Sequence, residues 1–483
     1  MNIHLLLQMA SEAMGERIAV RCGDKEMSYA ELAERAQTVA RSLKPEEKLG
    51  FLSEVSPDFP AALFGAALAG IPFVPLNYRL AETPLNKLAA RIAPAALIAE
   101  REIEIDDIRR LDFLEKIEIG ESQLEPADID GAVAVELFTS GTTGEPKSAL
   151  LRHSHLMSYI FGTVEFMSAA EEEATLIAVP PYHIAGIAAV LSSVYAGRRM
   201  VQLPNFSPHD WIELAKTERI SHAFLVPTML QRIIEHAGGE LDLPDLKFIA
   251  YGGGKMPLTV IDKALELLPD VSFTNAYGLT ETSATICMLG PEDHRLAKSS
   301  DDPDIQRRLG SVGRPIPTIE LEIRSEDGEI CRADETGLVW VRGDQVSGEY
   351  KGINSQLDES GWFPTKDRGF LDAGGYLFVK GRADDVIVRG GENISPGEIE
   401  DVLRTHTAIT DVAAVAVPDK EWGEAVGLVV VCNSEVSDQE ICDLIRLNLR
   451  SSRLPSYIRR ADRLPYNETG KLLRRVLRDG FAN

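Results

Sequence analysis

The sequence predicts an α/β fold with largely parallel sheets, and three observations carry the prediction. Short apolar runs alternate with helical stretches over the first two thirds of the chain. From about Ile319 the pattern changes to shorter strands with Gly-rich turns, as expected for a small β-rich subdomain. A polar, turn-prone break at Lys380-Gly381-Arg382-Ala383-Asp384-Asp385 then introduces a compact α+β tail of roughly a hundred residues. At 483 residues the chain exceeds the usual size of one hydrophobic core, so two or more domains are expected.

Each element follows from its pattern. Residues 28–43 read as an amphipathic helix, with Leu32, Ala36, Val39 and Leu43 on one face and Ser28 as cap. The longest apolar stretch, 61–76, is too short to span a bilayer and is broken by Pro72 and Pro75, so it reads as a buried helix followed by a strand. Residues 97–99, 132–137, 176–179, 222–226 and 248–250 are buried-strand candidates, with helices at 211–217 and 229–236 between them. In the subdomain, 338–342 and 376–379 read as strands. In the tail, a helix at 396–404, strands at 412–417 and 427–432 and a helix at 438–449 follow in order.

Hydrophobic residues make up 44% and charged residues 26%, the balance of a soluble globular protein. With 50 Lys plus Arg against 75 Asp plus Glu, the net charge is −25, which disfavours nucleic acid and anionic membrane surfaces as partners. Any anion site must therefore be local, built from backbone amides and a few basic side chains. The five cysteines (Cys22, Cys287, Cys331, Cys432 and Cys442) form no CxxC pair, which argues against a disulfide framework or zinc site. Residues 1–10 hold a short Leu run without a basic start, so no secretory signal is read and a cytoplasmic location is expected.

The segment Thr139-Ser140-Gly141-Thr142-Thr143-Gly144-Glu145-Pro146-Lys147 directly follows a predicted strand. Glycines and small hydroxyl residues let backbone amides approach a polyphosphate, and Lys147 adds a charge. Walker A spacing fails, because Pro146 precedes the lysine and the glycines are spaced differently. An ordinary Ser/Thr/Gly surface loop is the bland alternative. The segment resembles the phosphate-binding signature of the acyl-adenylate-forming superfamily, with Ser148 where that family usually has Gly.

Further segments resemble the same family in the same order. In Asn275-Ala276-Tyr277-Gly278-Leu279-Thr280-Glu281, after the strand-like 271–274, the resemblance implies Asn275 and Tyr277 on adenine, with Thr280 and Glu281 facing phosphates and Mg²⁺; alone, the segment reads equally as a nucleotide-serving cluster or as a turn before a helix capped by Thr280 and Glu281. Asp367, in Gly361-Trp362-Phe363-Pro364-Thr365-Lys366-Asp367, is an acceptor suited to the ribose diol, with Lys366 in place of the family's usual Gly. Arg382 would reach ribose or phosphate, and Asp384 would be an inter-domain pivot. The Gly390-Gly391 loop would line the pantetheine tunnel. Lys471, in Thr469-Gly470-Lys471, would be the catalytic lysine on the substrate carboxylate and α-phosphate. Pro180-Pro181-Tyr182-His183 resembles the acyl-pocket segment, with His183 lining or gating the acid site, although a lone His is more often structural. Tyr251-Gly252-Gly253-Gly254-Lys255 resembles the glycine strand beside pocket and adenine; Lys255 reads as a surface lysine.

The resemblance covers essentially the whole chain and implies an acyl-CoA synthetase using ATP, Mg²⁺, coenzyme A and a carboxylic acid. It implies an N-terminal adenylation domain (residues 1–383) of two parallel-rich sheets plus the β-rich subdomain, and a mobile α+β C-terminal domain (384–483). A carrier-protein thiol is the rival final acceptor. A non-catalytic nucleotide-binding protein would be expected to lose Lys471, Glu281 or Asp367, and all three are present. The oligomeric state stays open, a homodimer included. The acid itself stays open, with an aliphatic or aromatic one favoured.

Overall fold

A computed structural model describes residues 1–101, 103–111, 124–125, 129, 131–139, 146–420, 422–467 and 472–481. The chain separates into two compact units, Met1–Glu320 with Val341–Phe363, and Leu321–Trp340 with Pro364–Asn483.

Among the described residues the first unit holds two sheets. The six-stranded sheet runs, edge to edge, Ile108–Leu111, Ala95–Ala99, Lys48–Leu52, Phe73–Pro75, Val133–Thr139 and Lys147–Arg152, and only the last pairing is antiparallel. The nine-stranded sheet runs Arg314–Pro315, Ala284–Leu289, Ser272–Leu279, Phe248–Gly252, His222–Leu225, Ala174–Ile177, Arg199–Gln202, Ile18–Cys22 and Lys25–Ser28, with parallel pairings through its centre. Ala95–Ala99 is buried at every position, as a strand covered on both faces must be.

One continuous apolar core joins the two sheets through helices. Asp58–Ala69, the buried helix expected in the long apolar stretch, has no polar face and is buried from Phe59 through Leu68. It packs so closely on Tyr29–Arg41 that a Cβ on Gly65 would meet the Val39 Cβ at 2.5 Å. Tyr29–Arg41 starts on the expected Ser28 cap: the Glu31 N–H donates to Ser28 Oγ (3.2 Å) and the Ser28 N–H to the Glu31 carboxylate (2.7 Å). Met200 and Ile177 enter this core, whereas their neighbours Val201 and Leu176 enter a second one, as the two-residue period of a strand requires. That second core lies under helices Pro208–Thr217, Pro227–Ala237 and Leu258–Leu267.

The second unit contains a four-stranded sheet (Glu320–Arg324, Gly337–Arg342, Phe363–Leu371, Leu377–Arg382) and a five-stranded one (Glu392–Ile394, Ile387–Arg389, Gly423–Cys432, Ile409–Asp419, with Tyr457–Arg460 against Gly423–Cys432). Helices Pro396–Leu403 and Asp438–Asn448 cover one face of the latter through Ile399, Leu403, Ile441 and Ile445. The 3₁₀ turn Ala383–Asp385 joins the two sheets, and the β-rich subdomain groups with the tail in this unit. All five cysteines are free thiols, and among the described residues no helix is long and apolar enough to cross a membrane.

Candidate nucleotide and acid site

The segments singled out in the first unit leave the carboxyl ends of parallel strands, where ligands bind in open α/β sheets. Thr139 ends its strand and is the register partner of Lys147, so the first and last residues of the phosphate signature lie side by side. Ser140, Gly141, Thr142, Thr143 and Gly144 lie outside the described residues. The Arg91 guanidinium donates to the Pro146 carbonyl (2.8 Å) and lies 5.1 Å over the Phe138 ring. Ser148 is buried, and its hydroxyl donates to the Glu136 carboxylate, itself 2% exposed and paired with the Lys48 ammonium. A glycine at 148 would lack that hydroxyl.

The return strand Lys147–Arg152 acquires a further edge from residues 349–351. The Leu150 N–H donates to the Glu349 carbonyl (3.0 Å), the Lys351 N–H to the Ser148 carbonyl (2.9 Å), and Arg152 holds the Glu349 carboxylate through two bonds of 2.8 and 2.7 Å. This pairing carries Tyr350. Its hydroxyl donates to Glu281 Oε1, and the Lys147 ammonium lies 5.6 Å from its ring centroid. Glu281 sits in the 3₁₀ turn Thr280–Thr282, and its carbonyl accepts the N–H groups of Ser347 (2.9 Å) and Gly348 (3.2 Å). Fully buried Gln345 donates to the carbonyls of Thr282 (3.0 Å) and Thr285 (2.8 Å), fixing the turn from below. The strand containing Asn275 thus leads, through Thr280, to a carboxylate that shares Tyr350 with Lys147.

Residues 275–279 are strand rather than turn. The strand Ser272–Leu279 continues through the motif because Ala284–Leu289 doubles back antiparallel beside it, over a turn in which Ser283 (φ 56°) and Ala284 (φ 105°) are left-handed. The short-range reading as a turn before a helix is corrected by this pairing. Asn275 and Ala276 are register partners of Tyr251 and Gly252, which brings Gly253 (φ 79°) and Gly254 beside the Ala276-Tyr277-Gly278 segment. Asn275 is buried and donates to the Ser311 carbonyl (3.1 Å). A Cβ on Gly278 would lie 1.7 Å from the Ala284 carbonyl oxygen, so glycine is required there.

His183 precedes helix Ile184–Ala196 and lies 4.5 Å from the Tyr182 ring, which packs edge-on against Tyr78 at 5.5 Å. Burial, and then the nearby Arg79 charge, lower its pKa to about 4, so the imidazole is neutral at pH 7. Its Nε2 is buried with no hydrogen-bond partner among the described residues. Lys255 is exposed, as the surface reading expected.

In the second unit Asp367 and Arg382 face each other across a strand pair, with Arg382 NH1 3.1 Å from Asp367 Oδ1 and from the Thr365 carbonyl. Lys366 adopts φ 62°, so it takes the left-handed shape that a glycine takes without strain, and Asp367 keeps its place. The hairpin between Ile387–Arg389 and Glu392–Ile394 turns on Gly390 (φ 58°) and Gly391 (φ 85°), both left-handed as a two-residue turn of this hand demands. The Gly390 N–H donates to the Trp422 carbonyl (2.8 Å). Asp384 lies in the 3₁₀ turn Ala383–Asp385, and Arg478 donates to its carbonyl (3.4 Å). Tyr466 and Leu472 form a β-bridge, and Lys471 lies outside the described residues.

Among the described residues no cluster of three or more His, Cys, Asp or Glu side chains stands ready for a metal. Single-carboxylate donation by Glu281 is the pattern suited to Mg²⁺, a hard ion that keeps water and phosphate oxygens as most of its ligands. Sequence reasoning missed Tyr350, Gln345 and Glu136. Each acts through a partner distant in sequence, and only the lone carboxylate of Glu136 inside a continuous apolar run offered a local signal.

Comparison with known proteins agrees with this geometry. A family model described as AMP-binding enzyme matches residues 7–351, and one described as AMP-binding enzyme C-terminal domain matches 398–471. A feruloyl-CoA synthase from Amycolatopsis sp is 29% identical over 484 residues, covering 96% of each chain. A fatty acid–[acyl-carrier-protein] ligase from Streptomyces coeruleorubidus is 28% identical over 493 residues, covering 96% of this chain and 93% of its own. The structure of o-succinylbenzoate CoA synthetase from Bacillus subtilis with its acyl-adenylate intermediate superposes with a TM-score of 0.86 at 28% identity, covering 98% of each chain. With a family match that spans most of its length and continues in the tail, this chain belongs to the AMP-binding enzymes.

Proposed function

We propose that the chain is an AMP-forming acyl-CoA ligase. In the first step the carboxylate oxygen of the acid bonds to the α-phosphorus of ATP and pyrophosphate leaves. In the second, the thiol of coenzyme A displaces AMP from the acyl carbon and loses its proton. The observation that carries the reading is the convergence of Lys147 and Glu281 on Tyr350, which sets a cation and a carboxylate at the mouth of a phosphate-binding hairpin. No general base is needed in the first step, because the acid is already ionised at pH 7.

The roles follow from the chemistry of each group. Thr139, Ser140, Gly141, Thr142, Thr143, Gly144 and Lys147 hold the β- and γ-phosphates. Asn275, Ala276, Tyr277 and Gly278, with Gly253 and Gly254, flank the adenine. Asp367 accepts from the ribose hydroxyls beside Arg382. Thr280 and Glu281 face the phosphates, and Glu281 takes Mg²⁺, which when bound neutralises phosphate charge. Lys471 bridges the reacting carboxylate and α-phosphate, where a point charge is worth most in the transition state. Gly390 and Gly391 serve the pantetheine arm in the second step. The rings of Tyr78, Tyr182 and neutral His183 form an aromatic wall suited to an aryl-bearing acid.

A panel of aryl and aliphatic acids assayed for pyrophosphate and AMP, with and without coenzyme A, tests the reading. Thioester and AMP forming together for one acid is the expected result. An acyl-adenylate that ignores coenzyme A but loads a carrier protein's phosphopantetheine would replace the second step. Lys471→Ala is expected to abolish adenylation while sparing thioester formation from supplied acyl-adenylate; equal loss of both steps contradicts its assigned role.

A further inference from the structure

We infer that Tyr350 is a positioning residue that orients the Glu281 carboxylate for a divalent cation and keeps it electrically separate from Lys147. The inference rests on the ligase reading, since it concerns the same nucleotide site.

Tyr350 is placed by tertiary pairing. Its backbone bridges to Ala149, and its two neighbours hydrogen-bond to the strand that opens with Lys147, so the ring is fixed relative to the phosphate hairpin. The same short segment grips Glu281 twice. Ser347 and Gly348 bond its carbonyl, and the Tyr350 hydroxyl bonds Oε1 of its side chain. A carboxylate on a flexible stem that is fixed at one oxygen has its other oxygen aimed in a set direction. Mg²⁺ demands near-ideal octahedral geometry and loses water reluctantly, so a pre-aimed oxygen favours it.

The chemistry of the donor matters as much as its position. An arginine or lysine gripping Glu281 would cancel its charge, whereas a phenol donates a hydrogen bond and leaves the carboxylate anionic. Tyr350 also offers its ring face to the Lys147 ammonium. Among the described residues no ion pair joins Lys147 to Glu281, although both touch Tyr350. The ring therefore spaces a cation meant for phosphate from an anion meant for metal, and neither satisfies the other before the nucleotide binds.

Two variants separate these tasks. Tyr350→Phe keeps the ring and removes the donor; Tyr350→Leu removes both. ATP binding is measured by calorimetry across a Mg²⁺ titration and in excess EDTA, with thermal melting as the control for folding. Tyr350→Phe is expected to raise the Mg²⁺ midpoint by roughly three- to tenfold, the scale of losing one ordinary net hydrogen bond, with ATP affinity in EDTA unchanged. Tyr350→Leu is expected to weaken ATP binding in EDTA as well, because Lys147 is then free to pair with Glu281. A Mg²⁺ midpoint in Tyr350→Phe equal to that of the unmodified protein overturns the inference, as does an equal loss of affinity with and without Mg²⁺. Failure of the unmodified protein to bind Mg·ATP at all would instead remove the ligase reading, and this inference with it.

Discussion

Acid should destabilise the first unit through His153, the first residue of the helix that follows the strand Lys147–Arg152. Its Nδ1 accepts the Ile3 N–H at 3.2 Å, which requires a neutral ring with an unprotonated Nδ1. Its Nε2 is buried without a partner among the described residues, and the residue is 1% exposed. Burial first, and the charge of the N-terminal amine second, lower its pKa from 6.5 to about 4. The unfolded chain therefore binds a proton near pH 6.5 and the folded chain does not. The stability this histidine contributes is fully present above pH 6.5 and is lost as the pH falls towards 4. At pH 4.5 the difference is about 2.5 kcal/mol, worked from the two pKa values. His183 and His222, also lowered to about 4 by burial, add losses of the same sign. Melting temperature from pH 7.5 to 4.5, for the unmodified chain and for His153→Gln, measures the term. The variant is expected to start within ~1 kcal/mol at pH 7.5, since the Gln oxygen also accepts a hydrogen bond, and to lose less stability on acidification. Parallel profiles for the two proteins would refute the reasoning.

Three further outcomes follow from the packing. Ser148→Ala leaves buried Glu136 without its hydroxyl donor, and should cost about 1–3 kcal/mol in denaturant unfolding and raise the KM for ATP. Lys366→Val should destabilise the second unit by about 1–2 kcal/mol relative to Lys366→Gly in urea melts, because a β-branched residue tolerates φ 62° poorly. Gly390→Ala would drive a Cβ to 2.8 Å from the Trp422 ring at a left-handed position, so it should slow thioester formation while leaving pyrophosphate release intact.

Much of the fold was legible in the sequence, because its signals are local. The Ser28 cap, the buried helix between Pro57 and Gly70, and the tail helices from Pro396 and Asp438 each announce themselves within a few residues. What stayed hidden depends on partners far along the chain. Short-range signals leave the segment through Asn275 open between a nucleotide motif and a turn, because only its pairing with Ala284–Leu289 makes it extended. Tyr350 carries no motif of its own, and its place depends on Ala149, some two hundred residues away. Ser148 stands where the family usually has Gly, and what its hydroxyl does depends on Glu136 and Lys48 beside it. The candidate roles came from short motifs in order; the geometry adds how two of them, Lys147 and Glu281, are held apart and together by one ring.

The central claim is that the acid's own carboxylate attacks the α-phosphorus of ATP. Turnover of an accepted acid labelled with oxygen-18 in its carboxylate, followed by mass spectrometry of the products, tests it most directly. One labelled oxygen is expected in AMP and none in pyrophosphate. Unlabelled AMP, or label appearing in inorganic phosphate with ADP as the other product, would contradict it.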